Sequence, residues 1–240
     1  MRNSIVVVGF AALLAGSACS SGARYKVDDA TVADLPMSDK GELLQWQSNR
    51  DLAKGELDKA RADAHTAEHE IVTAQTERGQ AKLASQKLVS DIDLAKPRRD
   101  TALLGQLQNE LGVSQLAQSA AETRVRLCQQ QHEVNEAKIE AAKTHVRWAE
   151  AGIEQARARL VIRHGRLPSA NFEVGMFDRQ LAQAERENDK QQKNVMEQIA
   201  QRDAIGSQYN QQLSMYSQRR SVTPSFSSSY TPPDYHPPQP

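Results

Sequence analysis

The chain is poor in the residues that fill a globular core. Aromatic residues make up 5% and hydrophobic residues 39% of its 240 positions, below the roughly 45–50% apolar share of an ordinary soluble domain. A large round core is not expected. Neither charge sign is in excess, with 30 Lys plus Arg against 30 Asp plus Glu. The signs are interspersed, so no basic block is present and nucleic acid is not an expected partner. Cysteine occurs only at Cys19 and Cys128. The apolar run Ile5–Ala15 falls well short of the roughly 20 residues a helix needs to cross a bilayer. Phosphate-binding and nucleophile-elbow motifs are missing, and Gly105, Gly112 and Gly152 follow no nucleotide-binding spacing. No enzymatic activity and no cofactor are expected.

What is present begins with an export signal over 1–18. Arg2 supplies a positive start, Ile5–Ala15 the apolar stretch, and Gly16-Ser17-Ala18 a small-residue cleavage site before Cys19. The run Leu14-Ala15-Gly16-Ser17-Ala18-Cys19 resembles the lipobox of bacterial lipoproteins. It departs from that pattern at Gly16, where Leu is usual. The resemblance implies that Cys19 becomes the lipidated first residue of the mature chain, carrying fatty acyl groups such as palmitate, with the membrane as partner through that lipid. It also implies that Ser20, standing where a retention Asp would stand, directs the protein to the periplasmic face of an outer membrane. Ordinary signal peptidase accepts Gly16 and Ala18 equally well and would leave Cys19 free. Lipidation leaves Cys128 unpaired, either as a small hydrophobe in a helix seam or as the site of an intermolecular disulfide.

Residues 19–38 mix Ser, Gly, Asp and Pro36 without periodicity and predict a flexible tether. Asp39 and Glu42 form a capping-box pattern at the start of a helix over 39–95. From Trp46 a three-four spacing runs through Arg50, Ala53, Leu57, Ala60, Ala64, Ala67, Ile71 and Ala74, then Arg78, Ala81, Ser85, Leu88, Ile92 and Ala95. A sustained heptad keeps one stripe facing a partner helix. A second stripe, from Leu104 to Leu160 through Val125, Cys128, Asn135 and Ile139, predicts a helix over 100–164. Pro97 interrupts the first stripe, and continuing its register would land on Arg99, Gln106 and Asn109, so a hairpin is favoured over a kinked helix. Gly165 and Pro168 mark a second turn, and Phe177, Val195, Tyr209 and Tyr216 lie on a third stripe over 170–217. The expected fold is all-α: a long antiparallel three-helix coiled-coil rod over 39–218, with a disordered tether before it and a disordered tail at 219–240. Folding helices one and two about residue 98 sets Arg78 level with Gln118, Ser85 with Ser114, Arg50 with Trp148 as a cation-π pair, and Cys128 near Ile71.

His65-Thr66-Ala67-Glu68-His69 resembles the H-x-x-E-H string of inverzincin metallopeptidases, which implies zinc held by His65 and His69. In the heptad frame both histidines face solvent without an evident third ligand, so no metal is expected and they stand only as weak candidates. The tail holds Phe226, Tyr230 and Tyr235 among prolines, as a docking ligand for a polyproline-binding partner or as a solvated segment. If helix three runs outward again, Arg219 and Arg220 approach Arg98 and Arg99 and form a basic cluster toward cell-wall carboxylates or an acidic envelope protein. Murein lipoproteins are similar in plan, a lipidated Cys followed by a heptad rod, which implies a lipid-anchored spacer or scaffold of the cell envelope. Adaptor subunits of tripartite exporters also resemble it in their lipidated start and helical hairpin, but add β-rich halves not seen here. A helical periplasmic chaperone would need an exposed apolar clamp.

Overall fold

The computed structural model describes residues 26–98, 100–166 and 172–220. Among them every element is helical: α1 (Asp29–Ala33), a 3-10 turn (Met37–Asp39), α2 (Gly41–Ala95), a 3-10 turn (Lys96–Arg98), α3 (Thr101–Arg163) and α4 (Val174–Arg219). The three long helices have 55, 63 and 46 residues, or about 82, 94 and 69 Å at ~1.5 Å per residue. They pack against one another with α3 in the middle. Helices α2 and α4 each lie along α3 and scarcely touch each other.

The helix ends follow local chemistry. Pro97, lacking an N–H, closes α2 in a 3-10 turn. Asp100 then caps α3 by accepting from the Leu103 N–H at 3.0 Å. At the other end of α3, Gly165 takes φ 65°. Its N–H donates to the Ile162 carbonyl and that of Arg166 to the Val161 carbonyl, both at 2.9 Å. This paired closure needs a left-handed residue, which glycine supplies without a Cβ clash.

The contacts of α2 with α3 pair rising numbers with falling ones: Glu42 with Arg159, Glu56 with His145, Glu77 with Arg124 and Ser85 with Ser114. Those of α3 with α4 do the same, from Gln155 with Asp178 to Gln130 with Gln198 and Arg126 with Gln208. The first seam is mostly alanine on the α2 side, with Ala53, Ala60, Ala64, Ala67, Ala74 and Ala81 buried. Small side chains let the helices approach closely. The two serine hydroxyls at Ser85 and Ser114 lie 2.9 Å apart. Cysteines placed there, in a chain carrying Cys128→Ser, should form an intrachain disulfide at high dilution, read as a mobility shift on non-reducing gels. Crosslinks between chains alone would contradict the packing of α2 on α3.

Helix α3 carries two buried stripes. One faces α2 and holds Ala121, Val125, Cys128, Asn135, Ile139, Ala142 and Ala149; the other faces α4 and holds Ala120, Leu127, Val134, Ala137, Ala141 and Thr144. Heptad reading followed only the first. The stripe of α4, broken in sequence between Ile199 and Tyr209, is continuous in space because Arg202 and Gly206 fill the gap and are buried.

Three expectations are corrected. Residues 27–38 are not a loose tether: Val27, Val32 and Leu35 are buried in one cluster with Leu43, Ile153, Leu160, Val161 and Phe177. They cover the apolar end of α3, and burying each such side chain contributes roughly 1.5–3 kcal/mol. The capping box at Asp39 does not form, since α2 begins at Gly41 with no side-chain cap. Both carboxylates have tertiary partners instead, Asp39 with His164 at 3.0 Å and Glu42 with Arg159 at 3.0 Å. Finally, Arg219 does not reach the α2–α3 turn. Its Nη1 lies 3.6 Å from where a Cβ on Gly112 would stand, leaving the stretch 101–112 of α3, about 17 Å, beyond it.

Candidate functional site

The most elaborated region is the foot of the helices, where the chain that follows Cys19 enters. Val27 donates its N–H to Glu154 Oε2 at 2.8 Å. Arg157 pairs with both Asp29 and Glu154, the latter at 2.9 Å. Asp28 caps α1 by accepting from the Ala30 N–H at 3.1 Å. The backbone before α1 is therefore fixed to α3 by a hydrogen bond as well as by Val27 and Val32.

Both tryptophans lie just inside this foot. Trp46 meets Trp148 edge-on, with ring centroids 4.8 Å apart and planes at 78°. The Trp46 indole fills the space over Gly152, where a Cβ would come within 2.3 Å of the ring. The His145 ring lies 5.5 Å from that of Trp148 and its Nδ1 is 2.9 Å from Glu56 Oε2. The expected cation-π contact of Arg50 with Trp148 is thus replaced. Trp148 makes its T-shaped contact with Trp46, and Arg50 pairs with Asp51 at 2.9 Å.

A polar belt crosses the middle of the molecule. Arg202 is 1% exposed. Its Nε and Nη2 donate to Asp203 Oδ1 at 2.9 and 2.7 Å, and its Nη1 to Gln131 Oε1 at 3.2 Å. Gln131 in turn donates to Asn135, whose amide reaches the Asp63 carbonyl of α2 at 3.0 Å. One hydrogen-bonded chain so links α4, α3 and α2. Nearby, burial pushes the Lys138 ammonium below its ordinary value; Asp63 opposes that shift, while Arg202 and Lys59 add to it. Cys128 is buried against Ile71, Ala74 and Val125. Burial holds its thiol above the usual range, with Arg124 opposing and Glu70 reinforcing. A buried neutral thiol is a poor nucleophile.

The other candidates are placed as follows. His65 and His69 lie on the exposed face of α2 with ring centroids 4.8 Å apart. Glu68, between them in sequence, turns to His132 Nε2 at 3.8 Å. Among the described residues no group of three or more His, Cys, Asp or Glu is placed to hold a metal ion. The polar layer expected at Arg78 and Gln118 forms one residue away: Arg78 is exposed, Glu77 pairs with Arg124, and Gln118 donates to Glu122 at 2.9 Å. Opposite charge and side-chain rotation decide that choice, and a seam position specifies neither. Arg219 and Arg220 line a notch together with Glu77 and Glu110, and Lys96 pairs with Asp93 at 2.7 Å. The side chains of Arg98 and Arg99, together with Cys19, Phe226, Tyr230 and Tyr235, lie outside the described residues.

Sequence reasoning missed the N-terminal segment, Gly152 and Arg202. The spacing of Val27, Val32 and Leu35 carries too few turns for a periodic signal. A repeat search for a second stripe on α3 would have marked the α4-facing side, because Ala120, Leu127, Val134, Ala137, Ala141 and Thr144 keep three-four or seven-residue spacing. No protein-family model, curated protein or solved structure matches this chain.

Proposed function

We propose that the chain is a lipid-anchored structural protein of a bacterial cell envelope: an antiparallel three-helix coiled-coil rod, attached through lipid on Cys19, that acts as a spacer or as a scaffold for an envelope partner. The observation that carries this reading is the fixed foot. If Cys19 is the lipidated residue, its link to Val27, which is buried on α3, spans at most about 29 Å at ~3.6 Å per residue. A rod built on such a foot would hold its hairpin end several nanometres from the anchor, whereas a long loose tether would blur that distance. The lipobox resemblance at Leu14–Cys19 supports the attachment, and Ser20 supports the periplasmic face of an outer membrane as the location. Among the described residues no helix is long and apolar enough to cross a membrane, so the lipid is the proposed attachment. A non-enzymatic role agrees with a molecule whose buried polar groups, at Ser85, Asn135, His145 and Arg202, are engaged between helices.

The test is substitution of the anchor. Cys19→Ser should move the protein from the membrane fraction to the soluble fraction, and mass spectrometry of the wild-type mature N-terminus should find an acylated Cys19. An unmodified Cys19 at that terminus would refute the lipid anchor and leave an exported soluble rod.

A further inference from the structure

Helix α2 packs on α3 along one side, and the residues along the middle of its opposite side are all exposed. Charge normally collects on such a solvated helix back. Here the midline, every seventh residue from Ser48 to Ser90, holds no Asp, Glu, Lys or Arg. Large apolar side chains gather on it instead. Leu83 stands on the midline and is 66% exposed, and Leu44, Leu52, Val72 and Leu94 flank it, also exposed. These five are half of the ten exposed large apolar side chains among the described residues, so the concentration is specific to this side of α2.

The charges beside the midline are sorted by sign. Along one edge, every seventh residue from Leu44 to Asp93, the charged groups are Asp51, Asp58 and Asp93, with no Lys or Arg. Along the other, from Gln45 to Leu94, they are Lys59 and Lys87, with no carboxylate. All five are exposed. The carboxylates do have partners within α2, at Arg50, Arg61 and Lys96, but exposed pairs of this kind contribute little. Two copies of this side placed face to face and parallel would set the acidic edge of each against the lysine edge of the other, as flanking residues meet across a parallel coiled coil. Placed antiparallel, they would set acid against acid and lysine against lysine.

We infer that this side of α2 is a self-association surface, on which a second copy of the chain seats its own α2, parallel and in register, about a twofold axis running along the helices. Leu83 then meets its own counterpart. Lys59 comes level with Asp58 of the second copy, and Lys87 lies about 9 Å along the axis from its Asp93, within reach of a long side chain. The twofold axis forms each pair twice. A foreign helix would need both charged edges at this spacing, whereas a second copy carries them by construction. Two chains anchored in one membrane would also stand parallel and level. The charge pattern requires that orientation with or without lipid at Cys19, so the inference does not rest on the anchor.

The full mature chain carrying Cys19→Ser and Cys128→Ser tests it without lipid. Sedimentation equilibrium at micromolar protein should give twice the chain mass. Leu83→Lys should raise the dissociation constant at least tenfold with helicity unchanged, since Leu83 is exposed within one chain. Lys59→Asp should weaken the dimer several-fold, and adding Asp58→Lys should restore it. Ser48→Cys and Ser90→Cys, introduced singly, should each give a disulfide between copies under mild oxidation. A mass that stays that of one chain at every concentration would overturn the inference, as would a dimer that Leu83→Lys leaves intact. Covalent dimers formed only on mixing the Ser48→Cys and Ser90→Cys chains would show antiparallel pairing and overturn it too.

Discussion

Arg202→Ala is expected to destabilise the molecule by about 2–3 kcal/mol, because it empties the space of a buried side chain and removes its hydrogen bonds, while the Asp203 carboxylate left behind is 37% exposed and can be hydrated. The guanidinium makes hydrogen bonds to Asp203 and Gln131 while 1% exposed. Its loss leaves a carboxylate and an amide oxygen short of donors and opens a cavity in the α3–α4 seam. Arg202→Met is the informative companion. It retains most of the volume but leaves the same two acceptors without the guanidinium, so it separates the cavity from the lost hydrogen bonds. Denaturant unfolding followed by circular dichroism should therefore rank the wild type above the Met variant and the Met variant above the Ala variant. If Ala and Met variants lose equally little, the belt contributes nothing to stability and the account of Arg202 is wrong. If both lose several kcal/mol, the charge itself is required, and the belt fixes the alignment of α4 on α3.

At the foot, Gly152→Ala should destabilise although alanine is the better helix former. Alanine in place of glycine in a helix ordinarily gains about 1 kcal/mol. Here its Cβ would stand 2.3 Å from Trp46 Cδ2, with two further ring atoms at 2.4 and 2.6 Å. The indole is also in T-shaped contact with Trp148, and overpacking of this kind costs typically ~1–3 kcal/mol or more. At so close an approach the steric term wins, with an expected net loss of about 1–2 kcal/mol. Gly79→Ala and Gly105→Ala are the controls: a Cβ at either meets nothing within 4 Å, and each should stabilise by about 0.5–1 kcal/mol. Because both tryptophans of the chain sit here, their fluorescence reports this end directly. A Gly152→Ala variant as stable as Gly79→Ala, with unchanged emission, would contradict the packing of Trp46 on Gly152.

Much of this architecture was legible because it is written in repeats. The seven-residue spacing from Trp46 to Ala95 marks the α3-facing side of α2, and Pro97 and Gly165 mark where the chain stops being helical. Those signals are local: a proline removes a backbone donor and a left-handed glycine closes a helix wherever they occur. The foot was not legible. Val27, Val32 and Leu35 look like linker until the apolar end of α3 is present to receive them, and Gly152 looks incidental until Trp46 lies over it.

The same division separates level from partner. Sequence arithmetic about residue 98 brings α2 and α3 to the right level, and Ser85 meets Ser114 as that arithmetic requires. It does not distinguish Arg78 from Glu77, because neighbouring residues on a helix differ by about 100° in direction and only the opposing Arg124 selects the carboxylate. By itself, then, the sequence determined an all-helical chain with three long amphipathic segments and their turns, since each follows from periodicity or from one residue's backbone chemistry. Only the tertiary structure decided that α3 is the shared partner with two buried sides, that Arg202 is buried, that the N-terminal segment is packed, and that α4 stops short of the hairpin. Those depend on which surfaces from distant parts of the chain come to exclude water from one another, and no local pattern encodes that choice.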